Sequence, residues 1–202
     1  MLDAWLRPHI DRPLQAIAEQ LEKVGLHANA VTLIGFCLGL AAASALAWRQ
    51  FGWGLGFFLL NRLLDGLDGA LARRLGPTDF GGYLDIVSDF LVYALLVFAM
   101  ALAQPDSALH ASLLLFSFMG TSTTFLAYAI LAAKRNLHTQ ARGPKAFYYL
   151  GGLTEGSETL IFFCILFLIP EQFKLLALIF SAMCLLTTFS RMLSAWHSFQ
   201  SP

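Results

Sequence analysis

Four aspartates set inside apolar stretches constrain this chain more than any other feature. Asp65 and Asp68 lie in Asp65-Gly66-Leu67-Asp68-Gly69-Ala70-Leu71-Ala72-Arg73, and Asp85 and Asp89 in Gly81-Gly82-Tyr83-Leu84-Asp85-Ile86-Val87-Ser88-Asp89. The pairs are spaced i, i+3 and i, i+4, so on helices each pair shares a face with Cβ atoms about 5–6 Å apart. A carboxylate in a membrane segment costs roughly 2.5–3.5 kcal/mol on insertion scales, so four need compensation on the order of 10 kcal/mol. Divalent cations supply it most directly, because hard ions take oxygen ligands and cancel the mutual repulsion.

Composition places these acids in a membrane. Hydrophobic residues make up 57% of the 202 positions and charged ones 13%, against about 25% charged in a soluble domain. The net charge of zero leaves no basic excess for nucleic acid. The length accommodates about six spans of ~20 residues with short loops. The expected fold is an all-α membrane protein in one domain over residues 1–202, with an N-terminal amphipathic interfacial helix in 1–27 and a six-span bundle in 28–202. Cys37, Cys164 and Cys184 stand singly in apolar runs and read as inert buried thiols.

No cleavable signal peptide is expected, since Asp3 interrupts the basic region and residues 1–25 hold no apolar core segment. A helix starting after Asp11, with Pro13 in its first turn, puts Leu14, Ile17, Ala18, Leu21 and Val24 on one stripe. It either lies in the interface plane with Trp5 as anchor, or packs on the bundle. Spans are predicted over about 31–48, 52–74, 80–103, 109–133, 153–169 and 173–196, with Asn29 capping the first. Breaks fall at Gly76-Pro77, Pro105 and Pro170. Gly35, Gly39, Ala43 and Ala47 form a seam of small residues for close packing.

Charge orients the bundle. With a cytoplasmic N-terminus, one side collects Arg7, Arg12, Lys23, Arg73, Arg74, Lys134, Arg135, Arg142 and Lys145, and Arg62 and Arg191 lie in the adjacent half-membrane. Only Arg49 and Lys174 of the thirteen basic residues remain for the other side, as the positive-inside rule requires. The four aspartates then lie near the cytoplasmic face. Of the histidines, His9, His27, His138 and His197 are interfacial and His110 is near the opposite face. None has ligand spacing. Tyr148, Tyr149, Trp48 and Trp196 read as aromatic belt.

The pattern Asp65, Asp68-Gly69, Ala72-Arg73, Gly81, Asp85, Asp89 resembles the DxxDGxxAR…GxxxDxxxD signature of the CDP-alcohol phosphatidyltransferase family of integral membrane enzymes. The stretch between Arg73 and Gly81 is one residue shorter than the commonly written pattern, a difference that the intervening loop can absorb. The resemblance implies transfer of a substituted phosphoryl group from a CDP-linked donor to an alcohol, with release of CMP, in phospholipid synthesis. It implies two divalent cations, Mg2+ or Mn2+, on Asp65, Asp68, Asp85 and Asp89, with Asp89 also deprotonating the acceptor hydroxyl and Asp85 beside it in the reaction. Asp68, Gly69, Ala72, Arg73 and Gly81 would hold the CDP diphosphate. Asn29 and Thr32 resemble the family's PNxxT element, although Ala28 stands in place of its proline. A homodimer in a bacterial inner membrane, facing the cytoplasm, is implied as well.

The acceptor divides the reading. Arg191, inside an apolar run, and Lys134 fit a phosphorylated acceptor. Gly152-Leu153-Thr154-Glu155-Gly156 is similar to a stretch of aminoalcohol phosphotransferases, and Glu155 and Glu158 would suit a neutral or cationic alcohol, or simply cap the fifth span. Two other classes, an intramembrane cation transporter and a non-catalytic scaffold, use fewer of these features. A transporter would hold its carboxylates nearer the midplane, and a scaffold has no use for four acids together with Arg73.

Overall fold

The computed structural model describes residues 3–135 and 152–200, with side chains from Asp11 onward except Arg12. The expectations for Trp5, Arg7, His9, Arg12, His138, Arg142, Lys145, Tyr148 and Tyr149 therefore lie outside the described residues and side chains. Among the described residues there are seven α-helices: α1 (Asp3–Lys23), α2 (Ala28–Ala47), α3 (Phe51–Leu75), α4 (Asp79–Ala103), α5 (Ala108–Lys134), α6 (Gly156–Leu168) and α7 (Phe173–Phe199). Short 3-10 turns at Pro105–Ser107 and Pro170–Gln172 lead into α5 and α7.

Among the described residues four stretches are long and apolar enough to cross a membrane: α2, α4, and α5 and α7 with their leading turns. The six-span expectation meets two departures. α3 matches α4 in length, at 25 residues, but carries Arg62, Asp65, Asp68, Arg73 and Arg74. α6 has only 13 residues, or about 20 Å of helix at 1.5 Å per residue.

The breaks fall where proline and glycine require them. Gly76 closes α3 at φ 99°, a left-handed conformation that a Cβ disfavours, and Pro77 prevents continuation. Thr78 caps α4, its side chain accepting from the Gly81 N–H at 3.0 Å. Asn29 does not cap α2. The extended residue there is His27, whose carbonyl accepts from Ala30 and Val31 at 3.0 and 3.3 Å. The helix thus starts about a turn earlier than predicted and takes Asn29 inside it. α1 likewise begins upstream of Asp11 and carries Pro13 in mid-helix, where the ring forgoes one i→i−4 hydrogen bond.

α1 packs on the bundle. Leu14 and Ala18 are buried against Leu67, Ala70 and Leu71 of α3. A Cβ on Gly66 would come within 3.0 Å of Leu14, so that glycine sets the approach of the two helices. The apolar stripe is narrower than predicted, with Ile17 and Val24 exposed. Ion pairs Glu22–Arg74 (2.7 Å) and Asp11–Arg73 (3.8 Å) tie the edges of the contact. On the open face of α1 the Lys23 ammonium, hydrogen-bonded at 2.8 Å, holds the Glu19 carboxyl below its ordinary value.

The seam of small residues on α2 faces two neighbours. Gly35 meets Leu64 of α3, and a Cβ on Gly39 would overlap Val92 of α4. Gly39→Val should therefore lower the thermal stability of the detergent-purified protein by about 1–3 kcal/mol, and Val92→Ala should restore part of it. An unchanged melting temperature would mean that α2 and α4 are not in close contact. The core behind the site is aromatic: Phe163 packs on Phe58 and Tyr93, and Phe162 stacks on Phe180 at 4.3 Å. Cys184 is buried as expected, but Cys37 is exposed on α2, opposite the α3–α4 seam.

Candidate metal and substrate site

α3 and α4 run side by side with α2, and their aspartates meet where the three helices converge. One oxygen from each of Asp65, Asp68 and Asp85 lies within 4.8 Å of the other two. Asp68 is only 4% exposed, and its Oδ2 has no hydrogen-bond partner. A buried polar atom left unsatisfied costs about 1–3 kcal/mol, and more when charged. An oxygen-only set of three acids containing such an orphaned oxygen fits a hard divalent cation. The Thr32 side chain of α2, on the helix that meets this cluster, donates to the Ala28 carbonyl at 3.1 Å.

The fourth aspartate stands apart from that cluster. Asp89 Oδ1 accepts from Arg62 Nη2 at 2.8 Å. The same guanidinium donates through Nη1 to the Tyr93 hydroxyl at 2.7 Å and through Nε to Asn61 at 2.8 Å, and Nη1 lies 3.8 Å from Asp65. Asn61 in turn donates to the Gly35 carbonyl at 2.8 Å. Neither Arg62 nor Tyr93 stands out as a site residue in the sequence. The available signal was an intramembrane arginine three residues before Asp65, which on a helix places it on the aspartate's face.

The residues proposed around a diphosphate lie at the open end of this cluster. A Cβ on Gly69 would meet nothing within 4 Å except Arg73 Nη1 at 3.5 Å, so the surface beside it is clear. Arg73 is exposed, and Ala72 before it is half-buried. Gly81 is crowded instead. A Cβ there would come within 2.9 Å of both Asn29 Oδ1 and Thr78 Oγ1, so its missing side chain lets the first turns of α2 and α4 approach.

Behind Asp89 opens a cavity of about 260 Å³, lined among others by Asp89, Tyr93, Thr121, Phe125, Glu155 and Arg191. Arg191 is 8% exposed. It donates to the Thr121 carbonyl at 3.0 Å, with its guanidinium 5.8 Å from the centre of the Phe125 ring. Lys134 is not brought to this cavity but ends α5 exposed. Glu155 and Glu158 form a capping box on α6, so their capping role is real, and Glu155 also faces the cavity. One turn before Arg191, Thr187 Oγ1 accepts from the backbone N–H groups of Leu153 and Thr154, both at 3.1 Å, and donates to the Met183 carbonyl at 2.9 Å. This node fastens the entry of α6 to α7, and nothing in the sequence marks it.

The model of the CDP-alcohol phosphatidyltransferase family matches residues 25–190. The chain belongs to this family. It is 48% identical over 202 residues to the inner membrane protein YnjF of Escherichia coli (strain K12), covering 100% of this chain and 98% of that one. It is 37% identical over 99 residues to an archaetidylinositol phosphate synthase of Pyrococcus horikoshii, spanning 48% of this chain and 52% of the relative. Its fold is similar to that of Mycobacterium tuberculosis phosphatidylinositol phosphate synthase (PgsA1) with CDP-DAG bound. The TM-score is 0.75 at 21% identity, over 92% of this chain and 94% of that one. The same enzyme with manganese and citrate matches with a TM-score of 0.72 at 22% identity, over 91% and 88%. The family match includes all four aspartates, Asn29, Thr32 and Glu155. Arg191 lies one residue beyond it.

Proposed function

We propose that this protein transfers a phosphatidyl group from a CDP-diacylglycerol-type donor to an alcohol, releasing CMP, as one domain of six spans and as a homodimer. The observation that carries the reading is the convergence of Asp65, Asp68 and Asp85 within 4.8 Å, joined through Asp89 to a cavity. A manganese-bound structure and a CDP-DAG-bound structure of similar fold support both the metal and the donor.

Asp65, Asp68 and Asp85 would hold Mg2+ or Mn2+, with Asp89 completing the place for a second ion. Bound there, the ions would neutralise the diphosphate and stabilise the departing oxygen of CMP. Arg73, Gly69, Ala72 and Gly81 would bind the donor. Arg73 offers a planar fork of donors to the diphosphate, the clear surface at Gly69 admits it, and Asn29 and Thr32 brace the same end. Asp89 would take the proton of the acceptor hydroxyl as that oxygen forms its bond to phosphorus and the bond to the CMP oxygen breaks. The cavity beyond Asp89 would seat the alcohol between Arg191 and Glu155. The site would face the cytoplasm, as the segregation of basic residues requires.

The test is direct. Purified protein with Mn2+ or Mg2+, CDP-diacylglycerol and a panel of alcohols should release CMP in a metal- and alcohol-dependent manner. CMP release from CDP-linked head groups with diacylglycerol instead would move the protein to the aminoalcohol branch. No CMP release from either donor class would refute the enzyme reading.

A further inference from the structure

We propose that Arg62 is the fixed counter-cation of the acidic site, a positioning residue that holds Asp89 at the cavity and moderates the affinity of the other three carboxylates for divalent metal. The proposal rests on the metal-dependent transfer argued above, and concerns a residue outside the family signature. Arg62 is 10% exposed. Each nitrogen of its guanidinium is engaged by a different residue: Nε by Asn61, Nη1 by Tyr93 and Nη2 by Asp89. The Tyr93 ring lies under the group at 4.9 Å and that of Phe58 at 5.9 Å.

That geometry does two things. It fixes Asp89, because a planar fork held at three corners cannot swing, and the oxygen it binds is fixed with it. The anchor continues through Asn61 to the Gly35 carbonyl of α2, so the orientation of Asp89 is referred to backbone rather than to a mobile side chain. It also sets charge. A permanent positive group 3.8 Å from Asp65 lowers the repulsion among four acids and, by the same field, opposes a second positive charge arriving at them. A merely structural arginine would strengthen metal binding by keeping the ligands in place. A counter-cation weakens it.

The sign separates the two roles. Full-length protein, wild type, Arg62→Gln and Arg62→Lys, would be titrated with Mn2+ alone by electron paramagnetic resonance and then assayed for CMP release. Arg62→Gln should bind Mn2+ on the order of tenfold more tightly. Its kcat should fall on the order of a hundredfold with the donor KM little changed. Arg62→Lys should keep wild-type Mn2+ affinity yet recover only part of kcat, because an ammonium cannot span Asn61, Tyr93 and Asp89 together. If Arg62→Gln does not fold, the lysine variant decides alone. Reduced kcat at unaltered Mn2+ affinity upholds the proposal, and unaltered kcat overturns it. Weaker Mn2+ binding by Arg62→Gln, or an unchanged kcat, would also overturn it. Wild-type protein that binds no Mn2+ would instead remove the metal reading, and this proposal with it.

Discussion

Replacing Asp85 or Asp89 with asparagine is expected to cut CMP release by on the order of a thousandfold, about 4 kcal/mol of transition-state stabilisation. The two losses should arise differently. Asp85 is one of three carboxylates converging within 4.8 Å, so Asp85→Asn should also weaken Mn2+ binding. Asp89 is paired with Arg62 and stands outside that trio, so Asp89→Asn should retain a first Mn2+ while losing turnover. Circular dichroism should show both variants helical. Asp89→Asn leaves the guanidinium without its carboxylate, which argues for a lowered melting temperature in that variant alone. Near-normal turnover of either at saturating metal would sink the assignment.

The acceptor decides the second large effect. Arg191 and Glu155 line the same cavity as Asp89, so each can meet the alcohol. If the alcohol carries a phosphate, Arg191→Ala should raise its KM on the order of a hundredfold, because a buried charge-assisted contact is lost. The donor KM should stay where it was. If the alcohol is neutral or cationic, Glu155→Gln should be the more damaging change, and Arg191→Ala should act through stability, by releasing the Thr121 carbonyl of α5. Steady-state kinetics of both variants on the preferred alcohol distinguish the cases. Equal and mild effects would place the acceptor elsewhere.

The helical frame is legible in the sequence because its punctuation is chemical. Gly76-Pro77, Pro105 and Pro170 end helices for reasons independent of the rest of the chain. The aspartate cluster is legible because acids in apolar runs are expensive and their helical spacing can be read directly. Asn29 shows where local rules stop. Its residue type favours a cap, but the first turn of α2 forms two residues earlier around His27, and Asn29 is left beside Gly81 instead. Arg62 shows a different limit. The positive-inside count uses it as a marker of topology, and its actual partners, Tyr93 and Asp89, come from another helix, 31 and 27 positions away. The Thr187 contacts to Leu153 and Thr154, 34 and 33 positions apart, are equally invisible to periodicity. Lys134 is ambiguous for the opposite reason. A cation at a helix end satisfies the topology rule whether or not it touches a substrate.

α6 has 13 residues, about 20 Å of helix against a hydrocarbon layer of about 30 Å, and its first residue, Gly156, lines the cavity. The neighbouring helices α5 and α7 have 27 residues each and reach the full depth. Thr154, Glu155 and Thr159 at the start of α6 line that cavity together with Thr121 and Phe125 of α5 and Arg191 of α7. In the proposed orientation a water-soluble alcohol would enter the cavity from the cytoplasmic side while the tails of a lipid donor would stay in the hydrocarbon. The reacting groups would then meet without either leaving its own phase.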